Sequence, residues 1–180
     1  MIEIFMPMST SGRHIDIIQN LIHDSVPYRK RKELFPYHEN MPLVYRGDIK
    51  NPDTVSLVDL ELVEDISSFA DSAINELKYV QPDFLVFKNN KMLLNAKNTR
   101  VAGFPDLIIE VWSEGNDINQ RKFLSYLYST GGQKTEHWYI NQDSNIVKCY
   151  LGDVELPNQN ISNILKSNAG IEFDLRDLAI

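Results

Sequence analysis

The chain has 180 residues, 43% of them hydrophobic, which is enough for one domain with a core of its own and too apolar for a disordered chain. With 18 Lys and Arg against 25 Asp and Glu, the net charge of −7 excludes a protein that coats nucleic acid through bulk positive charge, so any contact with phosphate has to be local. The single cysteine, Cys149, excludes a disulfide framework and a thiolate metal cage, and no apolar run is long enough to cross a bilayer; one cytoplasmic domain over residues 1–180, without membrane contact, is expected.

In chain order, Ser9, Thr10 and Ser11 are candidate caps for a first helix from His14, in which Ile15, Ile18, Leu21 and Ile22 recur at helical spacing and define a buried stripe. The run Arg29-Lys30-Arg31-Lys32, followed by Phe35 and Tyr37, is a local basic patch; Lys88, Lys91, Lys97 and Arg100 form a second scatter. Each patch alone is most simply a solvated charge run. Residues 42–45 and 55–62 read as strands and 65–77 as a short helix. Residues 79–87 form a short apolar strand that contains Pro82-Asp83. Residues 104–113 are β-branched and aromatic with apolar side chains facing both ways, the pattern of a central strand covered on both faces. A helix over 118–128 carries Phe123, Leu124, Leu127 and Tyr128 and ends at Gly131-Gly132. A hairpin follows, with strands at 136–140 and 146–151, and the tail from Ile171 alternates like an added edge strand. Cys149, Trp112, Trp138 and Tyr139 read as core, and His23, His38 and His137 lack the spacing of a ligand set.

Glu110 is the anomaly. It stands inside the most apolar strand, where an ionised carboxylate without a partner is costly or is forced to stay protonated. Alternation puts Asp106, Ile108, Glu110 and Trp112 on one face, and a neighbouring strand that begins at Asp83 would bring its carboxylate to Glu110. Two carboxylates side by side repel unless a cation or a proton lies between them. Oxygen donors with retained waters suit Mg2+ or Mn2+, which can activate water and stabilise charge on a phosphoryl group. Lys122, on the helix directly after this strand, is the lysine that could complete such a site, and Tyr126 shares its face. The same residues admit a metal-free reading, in which Asp83 and Asp106 are ordinary residues after prolines and Glu110 pairs with Lys122 in a buried ion pair.

Taken together, Pro82-Asp83, Pro105-Asp106 with Glu110 to Ser113, Lys122 with Tyr126, Gly131 and Glu136-His137-Trp138 resemble the Uma-type restriction endonuclease family of the PD-(D/E)xK nuclease superfamily. The likeness extends to Met6-Pro7, the helix from His14 and the tail around Gly170, and is weakest over residues 28–77. It implies an α/β protein with a restriction-endonuclease-like core, a mixed central sheet flanked by helices. It also implies a Mg2+- or Mn2+-dependent endonuclease hydrolysing DNA phosphodiester bonds. By position, Asp83 matches the family's metal-binding aspartate and Glu110 the acidic residue of its (D/E)xK element. Trp112 stands where the superfamily places lysine, and Lys122 matches a lysine moved to the following helix. Asp106, as a further metal ligand, and His14 match recurring family positions. The segment 113–117 departs from the family's proline-containing turn. A homodimer suits an enzyme that cuts both strands of a duplex. The alternative is a catalytically inactive nuclease-fold module that binds nucleic acid or protein.

Overall fold

The computed structural model describes residues 12–38, 41–60, 78–88, 93–95 and 98–180. The caps Ser9, Thr10 and Ser11, the expected helix at 65–77, and Lys91 and Lys97 lie outside the described residues. The elements are α1 (Gly12–Lys30), β1 (Phe35–His38), β2 (Leu43–Asp48), β3 (Asn51–Leu57), β4 (Lys78–Val80), β5 (Phe84–Phe87), β6 (Leu93–Asn95), β7 (Asn98–Val101) and β8 (Leu107–Trp112). They continue with α2 (Ile118–Ser129), β9 (Glu136–Asn141), β10 (Ile146–Leu151), β11 (Val154–Asn160), β12 (Leu165–Lys166) and β13 (Glu172–Phe173).

A six-stranded sheet runs β1-β5-β8-β9-β10-β11. Its one parallel pair is β8 with β9, and α2 is the crossover that such a pair requires; the other neighbours are antiparallel. A second sheet runs β3-β2-β7-β6, with β4 on β2. Pro52 is tolerated in β3 because that strand lies at the sheet's edge.

β8 is apolar on both faces because both are covered. Leu107, Ile109 and Val111 meet Ile17, Ile18 and Leu21 of α1, while Ile108 meets Leu124, Leu127 and Tyr128 of α2. Burying each of these aliphatic side chains contributes about 1.5–3 kcal/mol, so the strand is fixed in depth and register. No helix among the described residues is long and apolar enough to cross a membrane.

Several elements differ from the sequence reading. Ile15 is 47% exposed, and the buried face of α1 is His14, Ile17, Ile18, Leu21 and Ser25. The helix also continues to Lys30, so Arg29 and Lys30 occupy its last turn, where positive charge complements the helix dipole. Residues 79–87 divide into β4 and β5, which belong to different sheets; Pro82, lacking an N–H, stands in the break. β13 pairs only with β12 and does not extend the main sheet. Alternation had reported the buried face correctly, since Ile171, Phe173 and Leu175 are fully buried, but a one-sided pattern carries no information about the pairing partner.

Candidate active site

Antiparallel pairing sets Phe84 opposite Ile109, Leu85 opposite Ile108 and Val86 opposite Leu107. One step beyond this ladder, the same register sets Asp83 opposite Glu110, and opposed residues of an antiparallel pair share a face. Asp83 Oδ2 accepts a hydrogen bond from the Val111 N–H at 2.7 Å, which ties the chain after Pro82 to β8. Its Oδ1 lies 3.6 Å from Nε2 of the buried His14, at the start of α1.

Glu110 is fully buried. The Tyr128 hydroxyl, from α2, donates to its Oε1. Its Oε2 is shut off from solvent and makes no well-formed hydrogen bond, although the backbone and side chain of Asp83 lie within looser bonding reach of the carboxyl. Burial, and then the negative charge of Asp83, hold the Glu110 carboxyl well above the ordinary carboxylate range; the bond from Tyr128 and the Asp83 backbone N–H pull the other way, and the Asp83 carboxylate, close enough to share a proton, adds to the rise. Burial and Glu110 together push the Tyr128 phenol up, so it stays a donor.

Beneath this pair lies a closed polar chain. Tyr139, the β9 partner of Glu110, bonds through its hydroxyl to Nδ1 of His137 at 2.7 Å, and His137 Nε2 bonds to the Gly152 carbonyl at 2.8 Å. A carbonyl can only accept, so Nε2 carries the proton and Nδ1 accepts from Tyr139. Burial lowers the His137 pKa and keeps the ring neutral. His137 is therefore a satisfied core histidine. Trp112 stacks on Tyr139 with centroids 4.1 Å apart, and the Arg121 guanidinium carbon lies 5.1 Å from the Trp112 ring centroid. In the loop between β8 and α2, Asn116 Oδ1 accepts from Ser113 N at 2.7 Å and Ser113 Oγ at 3.0 Å, and Asp117 caps the helix through Asn119 N at 2.8 Å. Side-chain acceptors thus close the turn at 113–117, the segment that departs from the proline-containing pattern.

Of the residues singled out in the sequence, Asp83 and Glu110 come together, with His14 beside Asp83. Asp106 does not join them. It sits at the opposite end of the β5–β8 pair, where Oδ2 accepts from Lys88 N at 2.8 Å and Oδ1 lies 3.9 Å from Lys88 Nζ. Lys122 is exposed, and Tyr126 is 40% exposed; both lie off the face of α2 that packs on the sheet. The ion pair of the metal-free reading is not formed, because Lys122 is exposed on another side of α2 while Glu110 is fully buried under Tyr128. Tyr128 was legible only as an apolar helical residue; its signal was the spacing from Leu124 on the sheet-facing side. Among the described residues, no set of three or more His, Cys, Asp or Glu converges as metal ligands. What converges is a pair of hard oxygen donors, one with an unfilled oxygen. That suits a divalent cation that keeps most of its own water.

No family model and no curated protein matches the chain. Among solved structures it is similar to a crystal structure described as a "putative nuclease belonging to DUF820" from Anabaena variabilis ATCC 29413, with a TM-score of 0.62 over 98% of this chain and 87% of that one. The fold is nuclease-like. At 14% identity the likeness is one of architecture, and it agrees with the mixed central sheet flanked by helices that the motifs had implied. On this nuclease-like fold the carboxylate pair occupies the end of β5 and β8 where the α1 and α2 layers meet.

Proposed function

We propose that this chain is a Mg2+- or Mn2+-dependent nuclease that hydrolyses DNA phosphodiester bonds, with Asp83 and Glu110 holding the ion. The observation that carries this reading is the unfilled oxygen of Glu110. Glu136 is also buried, on the neighbouring strand, yet its Oε1 accepts from Trp138 Nε1 at 2.7 Å and its Oε2 from Asn168 N at 2.6 Å. A carboxylate kept for structure has both oxygens satisfied, as Glu136 does. Glu110 has one oxygen satisfied by Tyr128 and the other without a well-formed bond, with the Asp83 carboxylate alongside.

An ion bound there would polarise a phosphoryl oxygen and make its bound water more acidic. Within the chain, the Val111 N–H orients Asp83, the Tyr128 hydroxyl fixes Glu110 Oε1, and His14 stands against the remaining oxygen of Asp83. Asp106 and Lys122 fall outside this assignment. A second reading, a nuclease fold that binds without cleaving, draws support from the position of Lys122, which leaves the pair without the lysine the superfamily pattern calls for.

Calorimetric titration of Mg2+ and Mn2+ into wild type, Asp83→Asn and Glu110→Gln, beside supercoiled-plasmid cleavage on the same samples, separates the two. The catalytic reading expects ion binding that strengthens with pH, because Glu110 must lose its proton, and joint loss of binding and cleavage in both variants. Wild-type protein that binds no ion at millimolar concentration would sink it.

A further inference from the structure

The buried residues of α2 are Leu124, Leu127 and Tyr128, and the half-buried Arg121 precedes Leu124 and Tyr128 on the same side of the helix, three and seven residues earlier. Tyr128 rests on Glu110; Arg121, about two turns earlier, lies over Trp112. Trp112 shares a strand face with Glu110 and follows it by about 7 Å. One seam between β8 and α2 therefore carries the Glu110–Tyr128 contact and, next along it, the Trp112–Arg121 contact.

Nε and Nη2 of Arg121 are shut off from water and have no hydrogen-bond partner, and Trp112 Nε1 is in the same state. Those two guanidinium nitrogens form the side-on fork that matches two oxygens of a carboxylate or phosphate. Elsewhere in this chain the same fork is filled: Arg176 Nε and Nη2 donate to the two oxygens of Asp174 at 2.8 and 2.7 Å. An arginine needed only to pack on an indole does so with its donors in water. Here the stack holds the cation while its recognition edge is dry and unfilled. Arg121 as a whole is only half-buried, so the fork could reach the surface by rotation of its outer torsions while the helix stays in place.

We propose that Arg121, laid on Trp112, is a phosphate-gripping residue whose Nε and Nη2 take two non-bridging oxygens of a phosphodiester beside the Asp83–Glu110 pair. The identity of the ligand as a nucleic-acid strand rests on the nuclease reading; the fork does not. The role differs from that expected of Lys122, which points elsewhere.

The test needs no divalent ion. Anisotropy of a labelled single-stranded DNA oligonucleotide is measured in EDTA over a salt series with wild type, Arg121→Gln and Arg121→Lys, beside tryptophan fluorescence under titration with inorganic phosphate. Arg121→Gln is expected to weaken oligonucleotide binding about tenfold or more and to reduce the salt slope by about 0.7, with Arg121→Lys, which restores charge but not the fork, in between. Its melting temperature is expected at or above the wild-type value, since a desolvated charge has been removed. Unchanged affinity and slope in Arg121→Gln overturn the proposal, as does a wild type that binds neither ligand. Inorganic phosphate bound through Arg121 without any oligonucleotide binding keeps the fork, rejects the strand as its ligand and counts against the nuclease reading.

Discussion

At the scale of single residues, Glu110 shows how burial and a like charge combine. In the unfolded chain its carboxyl ionises near the usual 4.5, while in the folded chain burial and Asp83 hold the proton on to well above that. From about pH 4.5 up to the folded value, the native state binds more protons than the unfolded one, so ion-free stability falls as pH rises through that window. Glu110→Gln removes this fall. Urea melts at about pH 5 and about pH 8 are expected to show a steeper loss in wild type, with the variant more stable by about 1 kcal/mol or more at the higher pH. A wild type with a flat profile would show that Glu110 ionises normally.

Glu110 was legible in the sequence because a charge inside an apolar strand stands out. Asp106 shows the limit of such reading. Pro82-Asp83 and Pro105-Asp106 look alike locally, and alternation puts Asp106 on the face of Glu110, but only the pairing register reveals that Asp106 lies at the other end of the strand pair from Asp83. Lys122 and Arg121 are neighbours, about 100° apart around the helix axis. Leu124 and Tyr128 packing inward fixes the phase, and that phase lays Arg121 over Trp112 and leaves Lys122 exposed.

Among elements, the β8-α2-β9 crossover brings the site together, and its far end is braced by turns. Gly152, between β10 and β11, has φ of +58°, and a Cβ there would come within 2.8 Å of the Gly132 backbone after α2. Its carbonyl also accepts from His137. Gly152→Ala meets both a left-handed backbone and a wall of main chain that cannot rotate away, and is expected to cost about 2 kcal/mol or more in chemical denaturation. A loss of a few tenths would mean that the two turns separate freely. The crossover was readable from β-branched runs, helical spacing and terminal glycines. The approach of Gly152 to Gly132 was not, because it joins two turns that are distant in sequence.

For the molecule as a whole, the tail closes the α1 side of the core. Phe173 is fully buried, edge-on to Phe84 at 5.7 Å and to Trp138 at 6.0 Å, and Arg13 of α1 reaches the Leu178 carbonyl at 3.2 Å and the Ser144 carbonyl at 3.1 Å. Phe173→Ala is expected to cost about 3–5 kcal/mol in equilibrium unfolding while leaving the Glu110–Tyr128 contact, on the α2 side of the sheet, in place. A loss below about 1 kcal/mol would mean that the tail packs loosely. The mixed α/β architecture was legible from the spacing of strands and helices. Strand order and the separate β12–β13 pair were not, because they depend on long-range pairing.

Natural selection on folding alone would remove a buried carboxylate facing another, as it would a desiccated guanidinium fork. Both persist as local frustration in a sequence that is otherwise consistent with its fold. In a saturation survey of folding stability, run without ions or nucleic acid, positions 110 and 121 are therefore where neutral replacements should outperform the native residue, so that the places where the chain is worst optimised as a solid would trace the outline of what it was selected to hold.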